Sequence, residues 1–206
     1  MKKQKLLVYQ WLSQRYRGLL LWLWVVLLIL AVYDFTTRPL FGAAVWPMVW
    51  VAFGASFLLW LYYALLLQRA AVILQPRVLL VRGPVRSMRI SYGRITTITS
   101  TQLIRHHDYK QLKGPERVLV EAVGGQTCLY IELSSYPKQY KHRRLWYSRF
   151  LFSMMRPGLL LVVEDWMTLS RQLEGARLQW HDSNKAQHRE DKRSLAARVL
   201  DEKGRK

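Results

Sequence analysis

The chain has 206 residues, with 32 Lys and Arg against 13 Asp and Glu, a formal net charge of +19 and one cysteine. A lone thiol cannot close an internal disulfide, which excludes a disulfide-stapled fold and makes Cys128 a buried structural thiol in expectation. So basic a balance points to an anionic neighbour, either lipid or nucleic acid.

Residues 1–17 form a basic N-terminus carrying Lys2, Lys3, Lys5, Arg15 and Arg17. Two uncharged stretches follow, Gly18–Tyr33 and Leu40–Leu67, separated by Asp34–Pro39 with one acid (Asp34) and one base (Arg38). The other 26 Lys and Arg come after Leu67. A helix rises about 1.5 Å per residue and must cross about 30 Å of hydrocarbon. The second stretch is ample, and its helix is expected to begin near Trp46-Pro47, where the missing N–H of proline costs nothing. The first reaches adequate length if Phe35, Thr36 and Thr37 enter the interface and Arg15 and Arg17 extend to the headgroups. Trp22, Trp24, Trp46, Trp50, Trp60, Tyr62 and Tyr63 add amphipathic rings, and those near the ends suit an aromatic belt.

The pattern predicts a transmembrane hairpin over residues 18–67, integral to the lipid bilayer. Basic flanks around a neutral loop place the N- and C-termini in the cytoplasm. For a bacterial or archaeal chain this is a multi-pass protein of the inner cell membrane. Ala52 and Ser56 offer a small-residue surface to a neighbouring helix.

Beyond the hairpin the texture changes to short β-branched segments punctuated by Gly and Pro. Strands are expected at Ala71–Gln75, Val78–Arg82, Ser87–Tyr92, Ile95–Ile104, Arg117–Val123, Gln126–Leu133 and Leu159–Val163. In Ser87–Tyr92, Met88, Ile90 and Tyr92 share one face. Arg105–Pro115 reads as a loop. Gly124-Gly125 reads as a tight hairpin turn with positive φ. A helix capped by Asp165 should follow, its apolar stripe formed by Trp166, Leu169, Leu173 and Ala176. Residues 181–206 are highly charged and read as a disordered tail with a marginal helix at Arg193–Glu202.

The segment after the two apolar stretches resembles the opening of bacterial pleckstrin-homology-like domains on small membrane-anchored proteins. Val81-Arg82-Gly83 with Arg86, then Ile95–Ile98, stand where that family has its "V-R-G-x-x-R" hairpin and "I-x-x-I" segment. The likeness covers residues 69–178 of a cytoplasmic domain expected at 69–180, with Asp165–Leu178 in the place of the closing helix. A basic, aromatic insertion at 134–158 departs from the simple pattern. The resemblance implies a small, strongly bent sheet closed by a helix, and binding or scaffolding rather than catalysis. The expected fold class is therefore α+β: a two-helix transmembrane hairpin followed by a small pleckstrin-homology-like β-sheet domain closed by one C-terminal helix.

The sequence carries no Gly-rich phosphate loop followed by Lys-Ser or Lys-Thr, no H-E-x-x-H and no Gly-x-Ser-x-Gly. Adjacent His106 and His107 cannot easily face one ion, so no metal site or cofactor is expected there. No small-molecule substrate is evident, and the chain is expected to be non-enzymatic. Between Glu132 and Glu164 there is no acid. There Lys138, Lys141, Arg143, Arg144, Arg149 and Arg156 interleave with Tyr136, Tyr140, Trp146, Tyr147, Phe150 and Phe152.

Helical spacing puts Trp146, Tyr147, Phe150, Leu151, Met154 and Met155 opposite Ser148, Arg149, Ser153 and Arg156, as in an interfacial amphipathic helix. The apolar face can meet the membrane, a partner protein or the domain's own sheet, and those alternatives stay open at this point. Lys138, Lys141, Arg143, Arg144, Trp146, Arg149 and Arg156 are thus the candidate residues for binding anionic lipid headgroups or a protein partner. The expected role is a scaffold or binding module at the cytoplasmic membrane face, with a protein partner or a homo-oligomer. The alternative is an accessory subunit of a larger membrane complex. Nucleic-acid binding ranks below both, because the bases are spread through the chain without a nucleic-acid-binding signature.

Overall fold

A computed structural model describes residues 3–36, 46–107, 112–137 and 147–203, without side-chain placement at 34, 35, 46 and 188–203. The chain is α+β: two apolar helices near the N-terminus, antiparallel sheets, and a C-terminal helix. In chain order the elements are β1 (Lys3–Lys5), α1 (Leu7–Thr36), α2 (Trp46–Leu61), β2 (Ala71–Leu74), β3 (Val78–Arg82), β4 (Ser87–Ser91) and β5 (Ile95–Gln102). Then come α3 (Gly114–Val123), β6 (Thr127–Leu133), β7 (Gly158–Leu161) and α4 (Trp166–Lys203).

The helices α1 and α2 are long and apolar enough to cross a membrane, over Leu7–Tyr33 and Pro47–Arg69. Only 11% of the apolar window of each is buried. Trp22 and Val51 are each 71% exposed, and Leu19, Ile29, Met48 and Leu58 also face outward. The core helix of a soluble domain buries such side chains, each worth about 1.5–3 kcal/mol when removed from water. The two helices pack on each other through Trp24, which stacks on Phe53 at 5.7 Å and lies 5.6 Å from Phe57. As the Pro47 signal predicts, α2 starts at Trp46. It ends in a π-helical turn at Tyr62–Leu66 and a 3-10 turn at Leu67–Arg69. Ser13 donates its hydroxyl proton to the Tyr63 carbonyl at 2.8 Å, which satisfies a polar group inside that irregular turn. Ser56 is buried within the hairpin and bonds the Phe53 carbonyl, so of the two small residues only Ala52 is exposed.

The hairpin is inserted into the β domain rather than hung on its end. β1 precedes it and pairs antiparallel with β2, Gln4 opposite Val72. One four-stranded sheet runs β1-β2-β3-β4 and one three-stranded sheet runs β5-β6-β7. Leu6, just past β1, bridges Val163 beyond β7, and the Leu7 N–H bonds the Val162 carbonyl at 2.9 Å, so the sheets meet at the foot of α1. Within the basic N-terminal segment, Lys3–Lys5 therefore contributes a strand, and Leu7 onward the first turns of a long helix. Leu6 and Tyr9 are part of the domain core. A three-residue strand carries too little periodicity to be seen in sequence.

The main core lies between the sheets. Val72, Leu79, Val81, Met88, Ile90 and Tyr92 meet Leu129, Ile131, Leu159 and Leu161, and α4 closes it with Leu169 and Leu173. Asp165 caps α4 as expected, accepting the Thr168 N–H at 3.0 Å. Trp166, Ala176 and Trp180 extend the stripe. The approach is closest at Gly93, where a Cβ would lie 2.5 Å from the Trp180 ring. A second core covers the outer face of β6 and β7: Cys128, Tyr130 and Leu160 against Leu119, Val120 and Val123 of α3, with Val8 and Phe150. This is why both faces of β6 are buried at its centre.

Three expectations fail here for identifiable reasons. Arg117–Val123 is helical, not a strand. Pro115 and Glu116 start α3, with Glu116 accepting the Lys113 N–H at 3.3 Å, and its buried residues fall at helical spacing. The β-branched content of that segment gave the wrong signal, because tertiary packing on β6 overrides propensity. Gly124 then ends the helix at φ −65°, ψ −29°, and no described glycine has positive φ, so Gly124-Gly125 is not a type I′ hairpin turn. Lastly, the segment read as a disordered tail continues α4 to Lys203. No Gly or Pro interrupts it between Gly175 and Gly204, and it is rich in Ala, Arg, Lys, Glu and Gln.

Candidate functional site

The end of the basic insertion forms a structured turn and lines a cleft. Residues Arg149–Leu151 make one 3-10 turn and Phe152 bridges Leu159. The expected amphipathic α-helix is therefore absent from the described part, 147–157. Tyr147, Phe150, Leu151 and Phe152 are buried in the domain's own cores, while Met154 and Met155 are exposed. Of the alternatives for the aromatic face, self-packing holds for these four side chains. The pull of an already formed hydrophobic core on four rings and chains exceeds the regularity of an isolated amphipathic helix. Lys138, Lys141, Arg143, Arg144 and Trp146 lie outside the described residues.

The turn is anchored from two sides. The Ser148 N–H donates to the Tyr9 hydroxyl at 2.7 Å, linking it to α1. Tyr147 lies over the Gly83-Pro84 turn so closely that a Cβ on Gly83 would sit 2.8 Å from its ring and 2.9 Å from the Arg86 carbonyl. Glycine is required there by close approach. Tyr136 grips the start of β7, its hydroxyl accepting the Gly158 N–H at 2.9 Å and donating to the Gly158 carbonyl at 3.0 Å.

Between these anchors is an open cleft of about 690 Å³. Tyr136, Tyr147 and Phe152 form its aromatic wall, Ser153 to Pro157 its rim, and Arg149 and Arg156 its charges. Phe152 meets Tyr136 and Tyr147 edge to face, with centroids 5.8 and 6.2 Å apart. Arg149 reaches Glu116 and Arg156 reaches Glu132, each at 3.5 Å, with the arginine side chains 44% and 74% exposed. Ion pairs this long and this wet are worth about 0–1 kcal/mol, so a carboxylate from outside exchanges for either acid at little cost. The Ser153 hydroxyl meets His106 Nδ1 at 2.9 Å, with the direction of donation following the histidine tautomer. Burial lowers the pKa of His106, which favours a neutral ring at pH 7.

The neighbouring histidine turns away. His107 is buried against Phe150, with centroids 5.1 Å apart, while His106 lies on Tyr130 at 4.6 Å. The two rings thus face different partners, and no group of three or more His, Cys, Asp or Glu that could hold a metal is found among the described residues. Burial, reinforced by the charges of Arg149 and His106, lowers His107 to about 4. Cys128 is fully buried and its thiol is pushed up to about 12 by desolvation, which makes it a poor nucleophile.

Of the seven sequence-derived candidates, the structure brings together Arg149 and Arg156. Sequence reasoning weighed His106 only as a metal ligand and missed Tyr9, Glu116 and Glu132; the roles of all four arise from contacts across 24 to 139 positions of chain. No local motif marks them. No protein-family model matches this chain, and neither a curated protein nor a solved structure matches it significantly.

Proposed function

We propose that this chain is a membrane-anchored, pleckstrin-homology-like binding module that holds a protein partner at the cytoplasmic face through an acidic segment of that partner. The observation that carries this reading is the Arg149–Arg156 cleft, set on a β domain with two exposed apolar helices inserted between its first two strands. The helices cross the bilayer, and the basic flanks keep both termini inside. Four strands, then three, closed by a C-terminal helix support the pleckstrin-homology-like assignment. Exchangeable ion pairs, aromatic walls and exposed methionines suit a peptide carrying carboxylates.

The make-up of the cleft favours protein over a charged headgroup: its wall is aromatic, its rim carries two methionines, and buried Tyr9 ties its turn into the domain core. The test places a photo-crosslinking amino acid at Met155, 73% exposed, in the full chain in its own membrane. A discrete protein adduct should form and be lost in the Arg149→Gln, Arg156→Gln variant. Adducts to lipid alone, or a protein adduct unchanged by those substitutions, would overturn the proposal.

A further inference from the structure

A second cavity lies at the foot of the hairpin, and it is lined only by polar side chains. It holds about 210 Å³ between Lys5, Gln10, Ser13, Gln14 and Gln68. Three segments meet there: β1, the first turns of α1, and the 3-10 turn that ends the second apolar helix. A polar niche at this point is unexpected on packing grounds. Leu6, Tyr9, Leu12 and Leu67, which alternate with the lining residues, all pack into the domain core.

The position fixes the depth. Ser13 precedes the uncharged stretch at Gly18 by five positions. That is about 7.5 Å along a helix, which matches a headgroup layer of about 5–8 Å on each side of the hydrocarbon. The charge fixes the sign. Lys5 lines the niche, and Arg15, Arg17 and Arg69 stand on the same helix turns. The first 107 residues contain one acid, Asp34, at the far end of α1. Glu164 lies one position beyond the Leu6–Val163 bridge, and among the described residues Lys5 forms no ion pair with it or with any other acid.

The lining fixes the chemistry. An ammonium donates to an anionic oxygen, and three carboxamides donate and accept, which fits a phosphate diester with a hydroxylated or amide-accepting neighbour. Ser13 is already engaged with the Tyr63 carbonyl, so it forms the floor and leaves the ligand contacts to Lys5 and the glutamines.

We infer that this niche binds the phosphate headgroup of one anionic phospholipid, with Lys5 on the phosphate and Gln10, Gln14 and Gln68 around it. The site is separate from the Arg149–Arg156 cleft and rests only on the part of the proposed function that puts α1 and α2 in a bilayer. Its ligand would clamp the N-terminal strand to the end of the second helix.

The test uses the full chain in nanodiscs of phosphatidylcholine doped with phosphatidylglycerol, with retained lipids counted by native mass spectrometry. The wild type should retain phosphatidylglycerol above its bulk fraction. Lys5→Gln and Gln68→Leu, made separately so that one folding defect does not hide the other, should each weaken that retention about tenfold, the size expected for one hydrogen bond to a charged group. Arg149→Gln should leave it unchanged. No excess in the wild type, or an excess that survives both niche substitutions, overturns the niche. Displacement by inorganic phosphate at the same concentration would assign the site to free phosphate and overturn the lipid assignment. Extraction of the wild type from native membranes by alkaline carbonate would overturn the membrane reading itself. A carbonate-resistant chain without selective retention overturns the niche alone.

Discussion

The Tyr9 hydroxyl and the Ser148 backbone N–H form a 2.7 Å hydrogen bond that joins the third residue of α1 to the turn carrying Arg149. Tyr9 is itself buried, so the bond fixes the cleft turn to the base of α1. Tyr9→Phe keeps the ring and removes the acceptor. The Ser148 N–H is then left without its partner, and such a loss costs about 1–3 kcal/mol. Denaturant unfolding in detergent should show that destabilisation, and hydrogen exchange should speed up at 148–152 before other segments. A variant with wild-type stability and unchanged exchange would show that the bond does not hold the turn.

Insertion of the hairpin between β1 and β2 has a direct consequence for truncation. A fragment of residues 69–180 lacks β1, Leu6 and Tyr9, and so leaves β2 with an unpaired edge and the main core open at the foot of α1. That fragment should aggregate or give a weak, non-cooperative unfolding transition. A chain in which a short Gly/Ser linker joins Leu12 to Leu67, replacing the apolar helices, restores both. It should unfold cooperatively, with circular dichroism showing strand together with the α3 and α4 helices. Equal stability of the two would mean that the N-terminal strand adds nothing to the fold.

The elements legible in sequence are those whose signal is local. The start of α2 at Trp46-Pro47, the alternation Met88–Ile90–Tyr92 and the Asp165 cap with Leu169 and Leu173 are each written within a few residues, and each stands in the structure. The elements that escaped depend on distant partners. Lys3–Lys5 is a strand only because Ala71–Ile73 pairs with it. Arg117–Val123 is a helix because β6 needs its outer face covered, even though Val and Leu dominate the segment. At the candidate site, the basic and aromatic composition identified Arg149 and Arg156. The helical wheel then failed because Tyr147, Phe150 and Phe152 serve two different cores from one short turn.

Acid sensitivity should trace in part to His107. Its folded-state pKa of about 4 lies below the ordinary 6.5, set chiefly by burial and then by the charges of Arg149 and His106. Neither ring nitrogen has a hydrogen-bond partner among the described residues. A base with a depressed pKa contributes stability that is fully present above the unfolded value and is lost as pH falls toward the folded one. The window here is therefore pH 6.5 down to about 4. His107→Phe keeps an aromatic ring beside Phe150 and removes the titration. Across that window the wild type should lose up to roughly 3 kcal/mol more stability than the variant. Parallel stability curves for the two would show that the buried imidazole does not set the acid limit.

Topology can be read by thiol labelling, provided the reporter is chosen from the structure. Native Cys128 is fully buried with its thiol pushed up to about 12, so it stays silent on either side of a membrane and cannot serve as the inside marker. Thr36 is exposed at the end of α1, where its hydroxyl bonds its own helix at the Val32 and Tyr33 carbonyls. Leu178 is exposed on α4, between the core-facing Leu173 and Trp180. An impermeant maleimide should label Thr36→Cys in intact cells and reach Leu178→Cys only after permeabilisation. Both substitutions lie on exposed positions, where stability changes stay within about 0.5 kcal/mol. Labelling of Leu178→Cys in intact cells, with Thr36→Cys protected, would reverse the orientation and place the β domain, its Arg149–Arg156 cleft and the Lys5 niche on the outer face.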